Sequence, residues 1–301
     1  MTARRHFTPA FAVAALVVLA VAGPAGPAVA ATDAPARDTT PQTIATLGLS
    51  DEDAVRKGEA VVEHWDKCDY DFIDMKSDFT LIQTDADGRA VQRTMRLLML
   101  ERMDRNEAGI KTTGDWSIVM FLDPPDVAGT KLLIHANLEE NDDTWMYMPA
   151  LQRVKRISSA NQSGNFAGTE FAFEDMASQE FYKFTYKWLY SEPCGTEAEP
   201  GFCDVVEQYP TYPNSGYLRQ VSWYDGCRQR RIDYYDHNDT LYKTQTFNDY
   251  RQYNGKNWRG HDNTMINHRT GRSTHLVIPE FRYRSGFTEQ QFQSQALRFI
   301  E

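Results

Sequence analysis

Residues 116–157 decide the fold. They read Trp116-Ser-Ile-Val-Met-Phe-Leu-Asp-Pro-Pro125, Asp126-Val-Ala-Gly-Thr-Lys-Leu-Leu-Ile-His-Ala136, Asn137-Leu-Glu-Glu-Asn-Asp-Asp-Thr-Trp-Met-Tyr-Met148 and Pro149-Ala-Leu-Gln-Arg-Val-Lys-Arg-Ile157. Short apolar and aromatic runs alternate with turn-forming residues. Asp123-Pro124-Pro125 ends the first run, because proline removes a ladder donor. The pattern is strand, turn, strand, as in an antiparallel meander. Trp116, Ile118, Met120 and Leu122 share one strand face. Trp145 and Tyr147 share another, with Met146 and Met148 opposite. Both faces of these strands are therefore apolar. One face can fill a core against helices, and the second points to a closed interior or a cavity, for which Met and aromatic side chains are suited. Trp116, Ile118, Met120, Leu122, Trp145 and Tyr147 are the candidate cavity-lining residues; a fully packed core is the competing reading.

The same alternation extends in both directions. Asp87-Gly88 separates Ser77–Gln83 from Val91–Met103. Strand-like runs resume at Tyr182–Tyr190, Val205–Tyr209, Tyr217–Trp223, Arg231–Tyr235, Leu241–Tyr250, Asn263–His268 and Thr274–Phe281. Asp236-His237-Asn238-Asp239, Asn254-Gly255 and Thr270-Gly271 supply turns between the later runs. Asn161–Gly168 reads as a loop, and Phe171–Phe181 as a segment holding a short helix. Upstream, Ser50 caps a helix whose first turn carries Asp51, Glu52 and Asp53 at the positive end of the dipole. Val55, Gly58, Val62 and Trp65 give that helix one face to bury. At the other end, Thr288 and Gln291 form a capping box, Phe287 staples to Phe292, and a closing helix with Phe292, Ala296 and Phe299 on one face is expected. With no repeat and no clear linker, residues 49–301 read as a single domain. The expected class is α+β, mostly β, with about ten strands.

The chain has 301 residues, 41% of them hydrophobic and 25% charged, which is ordinary globular composition. With 32 Lys+Arg against 42 Asp+Glu the net charge is −10, which argues against nucleic-acid binding. Residues 1–30 read as a secretory signal peptide. Arg4 and Arg5 are followed by an apolar run from Ala10 to Ala22, and Ala28-Val29-Ala30 forms a cleavage site. The apolar run is too short for a membrane anchor and is broken by Gly23-Pro24 and Gly26-Pro27. Cleavage after Ala30 removes two arginines and no acids, leaving 30 basic against 42 acidic residues, net −12. Residues 31–48 read as a flexible tail. The expectation is a soluble periplasmic protein with no stable membrane insertion.

Export permits disulfides. Cys194 and Cys203 flank a segment with Pro193, Gly195, Pro200 and Gly201, across which a bridge is natural; free or metal-bound thiols are the alternatives. Cys68 and Cys227 either bridge or stay as buried thiols.

Catalytic signatures are missing: no HExxH, GxSxG, Walker or Rossmann pattern occurs. No cofactor, metal site or enzyme activity is expected. His64, Asp66, Asp69 and Asp71 around Cys68 read as a solvated helix end rather than a metal site. Asp233, Asp236, His237 and Asp239 read as a β-turn rather than a calcium site, and Glu174-Asp175 as the start of a short helix.

Several motifs occur together and in order. They are Phe121-Leu-Asp-Pro-Pro-Asp-Val-Ala-Gly129-Thr130, then Asp143 through Ile157, and Gly168-Thr169-Glu170-Phe171 with Phe173-Glu174-Asp175-Met176. Tyr234-Tyr235-Asp236, Phe247-Asn-Asp249-Tyr250 and Thr270-Gly271-Arg272-Ser273-Thr274 come after them. Over residues 50–301 the chain resembles the outer membrane lipoprotein-sorting protein family, the LolA-like group. The resemblance implies a half-open antiparallel β-barrel with helices closing its mouth. It also implies a carrier of lipoprotein acyl chains, lipid or a sterol-like molecule between inner and outer membrane. Members with this longer signature resemble companions of inner-membrane exporters of the resistance-nodulation-division (RND) type. The chain is longer than the lipoprotein chaperone and adds the Cys194–Cys203 segment. Arg96, Arg102, Arg153 and Arg156 are the candidates for the chaperone's lid-bonding arginine. A packed, non-carrying adaptor of such an exporter is the alternative reading, and a lipid-acting hydrolase or transferase a more distant third.

Overall fold

A computed structural model describes residues 40–102, 104–106 and 111–300. The expected signal peptide, residues 1–30, and the first part of the expected tail, residues 31–39, lie outside these. From residue 40 the expected tail has structure: β1 (Gln42–Thr43) pairs with a later strand, and Ile44–Leu47 make one helical turn, α1.

The long helix α2 (Asp51–Lys67) starts as its sequence dictates. Ser50 Oγ accepts from Asp53 N at 3.1 Å and the Asp53 carboxylate accepts from Ser50 N at 3.1 Å. Ala54, Gly58 and Val62 form its buried face.

The rest is one antiparallel sheet made of two meanders. The first is β2 (Asp74–Thr84), β3 (Ala90–Leu100), β4 (Trp116–Asp123), β5 (Lys131–His135), β6 (Asp143–Met148) and β7 (Arg153–Ile157). The second is β8 (Phe184–Gly195), β9 (Pro200–Pro210), β10 (Arg219–Asp225), β11 (Arg228–Tyr235), β12 (Leu241–Tyr253), β13 (Asn257–Asn267) and β14 (Ser273–Val277). Their ends are stitched together, because β14 pairs with β2. A short β15 (Arg282–Tyr283) also pairs with β2. The sheet therefore has 15 strands rather than about ten. It does not close: β7 and β1 are its two outer edges, giving the open, curled sheet of a half-open barrel.

Both faces of β3–β6 are covered. Phe79, Met95, Val119, Phe121, Leu132 and Ile134 point to the inner face and pack with Phe166, Ile278 and Phe281. Leu98, Leu100, Ile118, Met120 and Leu133 point outward and pack against Phe292 and Leu297. The cover on that outer face is the C-terminal segment. The capping box of Thr288 and Gln291 forms as expected, and Phe287 meets Phe292 edge-on at 6.1 Å. No long helix comes after it. Two short 3₁₀ turns, Glu289–Phe292 and Ala296–Arg298, bury Phe292 and Leu297 while Phe299 is exposed. The segment is fixed to the strands by Lys131 Nζ, which donates to the Leu297 carbonyl at 2.9 Å, and by His135 Nε2, which donates to the Phe292 carbonyl at 2.7 Å.

On the inner face α2 packs over β8. Val62 joins Phe184, Tyr186, Trp188, Val206 and Tyr224 in one cluster. Gly58 is required there: a Cβ would sit 2.7 Å from the backbone nitrogen of Trp188. Among the described residues no helix is long and apolar enough to cross a membrane.

Candidate functional site

The inner face is not filled. Between the sheet, the C-terminal end of α2 and residues 171–180 lies a cavity of about 380 Å³. Its walls are mostly apolar: Met75, Phe79, Leu97, Met99, Val119 and Leu276 from the strands, with Phe171 and Met176 from the covering segment. Register explains the grouping. Met75 faces Met99, Met99 faces Ser117, and Leu97 faces Val119, so alternate residues of β2, β3 and β4 enter the same space.

The six residues expected to line a cavity do not line this one. Trp116, Ile118, Met120, Trp145 and Tyr147 belong to the outer cluster under the C-terminal segment, and Leu122 lies partly exposed on the same face. The strand assignment holds but its phase is inverted, because an apolar pattern on both faces does not say which one is enclosed.

The cover over the cavity is built from the Gly168-Thr169-Glu170-Phe171 motif and residues 172–180. Thr169 Oγ1 donates to the Phe166 carbonyl at 2.7 Å, Asn267 Nδ2 donates to the Glu170 carboxylate at 2.6 Å, and Gln83 Nε2 donates to the Gly168 carbonyl at 2.7 Å. Glu174 and Asp175 start a 3₁₀ turn, as expected, and both are also buried hydrogen-bond centres. Glu174 accepts from Tyr212, Ser215 and the Gly216 backbone, and Asp175 from Tyr217, with Lys243 Nζ at 3.6 Å.

One end of the cavity is ionic. Lys111 Nζ stands 3.0 Å from Asp115 and 3.6 Å from Glu180. Tyr70 donates to Asp66 at 2.8 Å, and Arg259 pairs with Asp69. Burial, the largest influence, pushes Glu180 up to about 7 against the pull of Lys111. Burial likewise lifts Glu174 to about 7, helped by the neighbouring charge of Asp175. Asp66 and Asp115 are raised by burial as well.

The acids around Cys68 each have a partner within the protein: Asp66 with Tyr70, Asp69 with Arg259, and Asp71 with Lys256. Cys68 is disulfide-bonded to Cys227, which ties the end of α2 to the turn between β10 and β11, and both line the cavity. His64 Nε2 lies 4.0 Å from each of these sulfurs. Cys194 and Cys203 form the second disulfide, across the β8–β9 hairpin. At the Asp236–Asp239 turn, Asp236 Oδ1 accepts from the backbone of Asn238 and Thr240, the hydrogen bonding of an Asx turn.

A second chamber of about 240 Å³ adjoins the first on the side of β10–β12. Trp65, Gln229, Gln245 and Phe247 line both. Its remaining walls mix Phe184, Tyr212 and Tyr234 with amides and charged side chains, and no sequence motif singles them out. Four glutamines on consecutive strands, Gln208, Gln220, Gln229 and Gln245, were the available signal. None of Arg96, Arg102, Arg153 and Arg156 lines either chamber; Arg96 is held by Asp78 on the surface at 2.6 Å and 2.9 Å.

The fold is shared with solved structures. The crystal structure of a putative outer membrane lipoprotein-sorting protein domain from Vibrio parahaemolyticus is 37% identical, with a TM-score of 0.74, covering 81% of this chain and 99% of that one. The chain belongs to the outer membrane lipoprotein-sorting protein family. A DUF1329 family protein from Desulfovibrio piger is 25% identical, with a TM-score of 0.72 over 81% of this chain and 99% of its own. A LolA superfamily protein from Nitrosomonas europaea, 16% identical with a TM-score of 0.60 over 78% and 97%, shares the fold. A family model described as "Uncharacterized protein" matches residues 113–299. No curated protein matches the chain. In this family member the region matched by the model begins just before β4 and runs through the C-terminal cover.

Proposed function

We propose that this protein is a periplasmic carrier that holds the apolar part of a lipid, a lipoprotein or a sterol-like molecule in the inner cavity and moves it between inner and outer membrane. The observation that carries the reading is the 380 Å³ apolar cavity in a chain of the lipoprotein-sorting family. The volume lies in the range of ligand pockets, about 300–1,000 Å³. An acyl chain gains about 0.8 kcal/mol per CH₂ on leaving water, so a sixteen-carbon chain needs on the order of 12 kcal/mol of compensation to leave a membrane. Apolar walls such as Phe79, Leu97, Met99 and Val119 supply it without a specific polar contact.

Two disulfides support an oxidising compartment, and cleavage after Ala30 would release the chain there. The acidic balance disfavours docking on anionic lipid, so handover runs through a protein partner, an RND-type inner-membrane exporter being the candidate.

The test is mass spectrometry of an organic extract of mature protein purified without detergent from its native periplasm. A stoichiometric lipid is expected. An empty extract from protein that also fails to take up added lipid overturns the carrier reading in favour of the exporter adaptor.

A further inference from the structure

The two chambers differ in chemistry, and the difference defines the head of the cargo. We propose that the 240 Å³ chamber is a head-group site, and that the cargo is an amphiphile whose head is neutral and rich in hydroxyl or amide groups, a glycolipid or polyol lipid, rather than a phospholipid. The inference rests on the carrier reading, with the tail in the adjoining apolar cavity.

Six primary amides line the chamber: Asn141, Gln162, Gln179, Gln220, Gln229 and Gln245. Each offers both donors and an acceptor, as a hydroxyl does. The protein fixes their orientation. Gln208 Nε2 donates to Gln220 Oε1 at 2.7 Å, and Tyr234 OH donates to Gln245 Oε1 at 2.7 Å. These bonds occupy the carbonyl ends of Gln220 and Gln245 and leave their NH₂ groups as the ends to offer. Asn141 shows the opposite need: its Nδ2 donates to the Pro213 carbonyl at 3.0 Å, while its Oδ1 is enclosed without a hydrogen bond. Donors and an acceptor facing one small space match a polyol.

Charge excludes the alternative head. A phosphate asks for uncommitted Arg or Lys. Among the described residues, the one cation that lines the smaller chamber, Lys183, is already committed to Asp142; Lys111 and Arg259, which pair with Asp115 and Glu180 and with Asp69, line the apolar cavity instead, and the uncommitted Nε and Nη2 of Arg259 lie outside the head-group chamber. A phosphate would also sit beside the Asp175 carboxylate, where like charges repel. A neutral head meets no such opposition.

The test is isothermal titration calorimetry of mature protein with two probes of one tail length, dodecyl maltoside and dodecyl phosphate, each below its micelle concentration. The maltoside is expected to bind about tenfold or more tighter, the discrimination a hydrogen-bonding site gives when its polar groups find partners. Replacing both Gln229→Leu and Gln245→Leu should erase that preference, bringing the affinities of the two probes together. Leu97→Trp, which fills the apolar cavity, should weaken both probes together. Equal affinities, or a preference for the phosphate, overturn the head-group assignment and leave the carrier reading standing. Binding of neither probe overturns both. If the double variant fails to fold, the wild-type ratio alone decides.

Discussion

Val119 and Met120 are neighbours in β4, both fully buried, and they belong to different cores. Val119 faces the cavity; Met120 faces the C-terminal cover. The two positions therefore separate binding from stability. Val119→Trp should abolish lipid co-purification while the fold persists. Met120→Ala should cost about 2–5 kcal/mol, the usual range for truncating a buried Met, and leave lipid uptake intact. Urea unfolding monitored by tryptophan fluorescence, alongside lipid extraction, checks both.

The disulfides should differ in weight. Cys68–Cys227 closes a separation of 159 residues and Cys194–Cys203 one of 9. Chain-entropy arithmetic gives about 5 kcal/mol for the first and about 3 kcal/mol for the second. The Cys68→Ala/Cys227→Ala double variant should unfold at distinctly lower urea than Cys194→Ala/Cys203→Ala. It should also loosen the end of α2, visible as faster amide exchange over residues 60–70.

Stability should fall as the pH rises toward neutrality. Burial holds Glu174 and Glu180 at about 7 in the folded state, above the ordinary 4.5. The folded chain then binds more protons than the unfolded chain between those values. The contribution is complete below about pH 4.5 and lost as the pH rises through about 7, up to about 3 kcal/mol per group. Asp78, lowered by its hydrogen bond to Arg96, acts in the opposite sense and only below 3.8. Denaturation midpoints measured from about pH 5 to 8 should decline in the wild type and decline less in Glu180→Gln.

Gly58→Ala tests the seating of α2. Alanine favours a helix by up to about 1 kcal/mol. Here its Cβ would lie 2.7 Å from Trp188 N and 2.9 Å from the Lys187 carbonyl carbon, both backbone atoms with little room to move. The steric cost should win by about 1–3 kcal/mol, read as a lower melting temperature and a changed tryptophan signal.

Much of the fold was legible because local chemistry and topology agree. Gly88, Gly255 and Gly271 adopt positive φ at the turns where Asp87-Gly88, Asn254-Gly255 and Thr270-Gly271 had placed them. The cap at Ser50 was equally explicit. What failed were the questions that local pattern does not address. A capping box at Thr288 marks where a helix begins and says nothing of its length; here the turn stops at Gln293, and the segment is held by Lys131 and His135. The phase of β4 depended on which face the covering segment 171–180 occupies, a long-range fact. Nothing local marks Gln220, Gln229 and Gln245 apart from other strand polars, and their enclosure comes only from strand order.

The free edge β7 carries Arg153, Lys155 and Arg156 with almost every side chain exposed, in a chain of net charge −10. An unpaired strand is a template for another copy of itself, but two such edges laid side by side would bring rows of cations face to face. The half-open barrel can thus stay unsealed without its copies zipping into polymers.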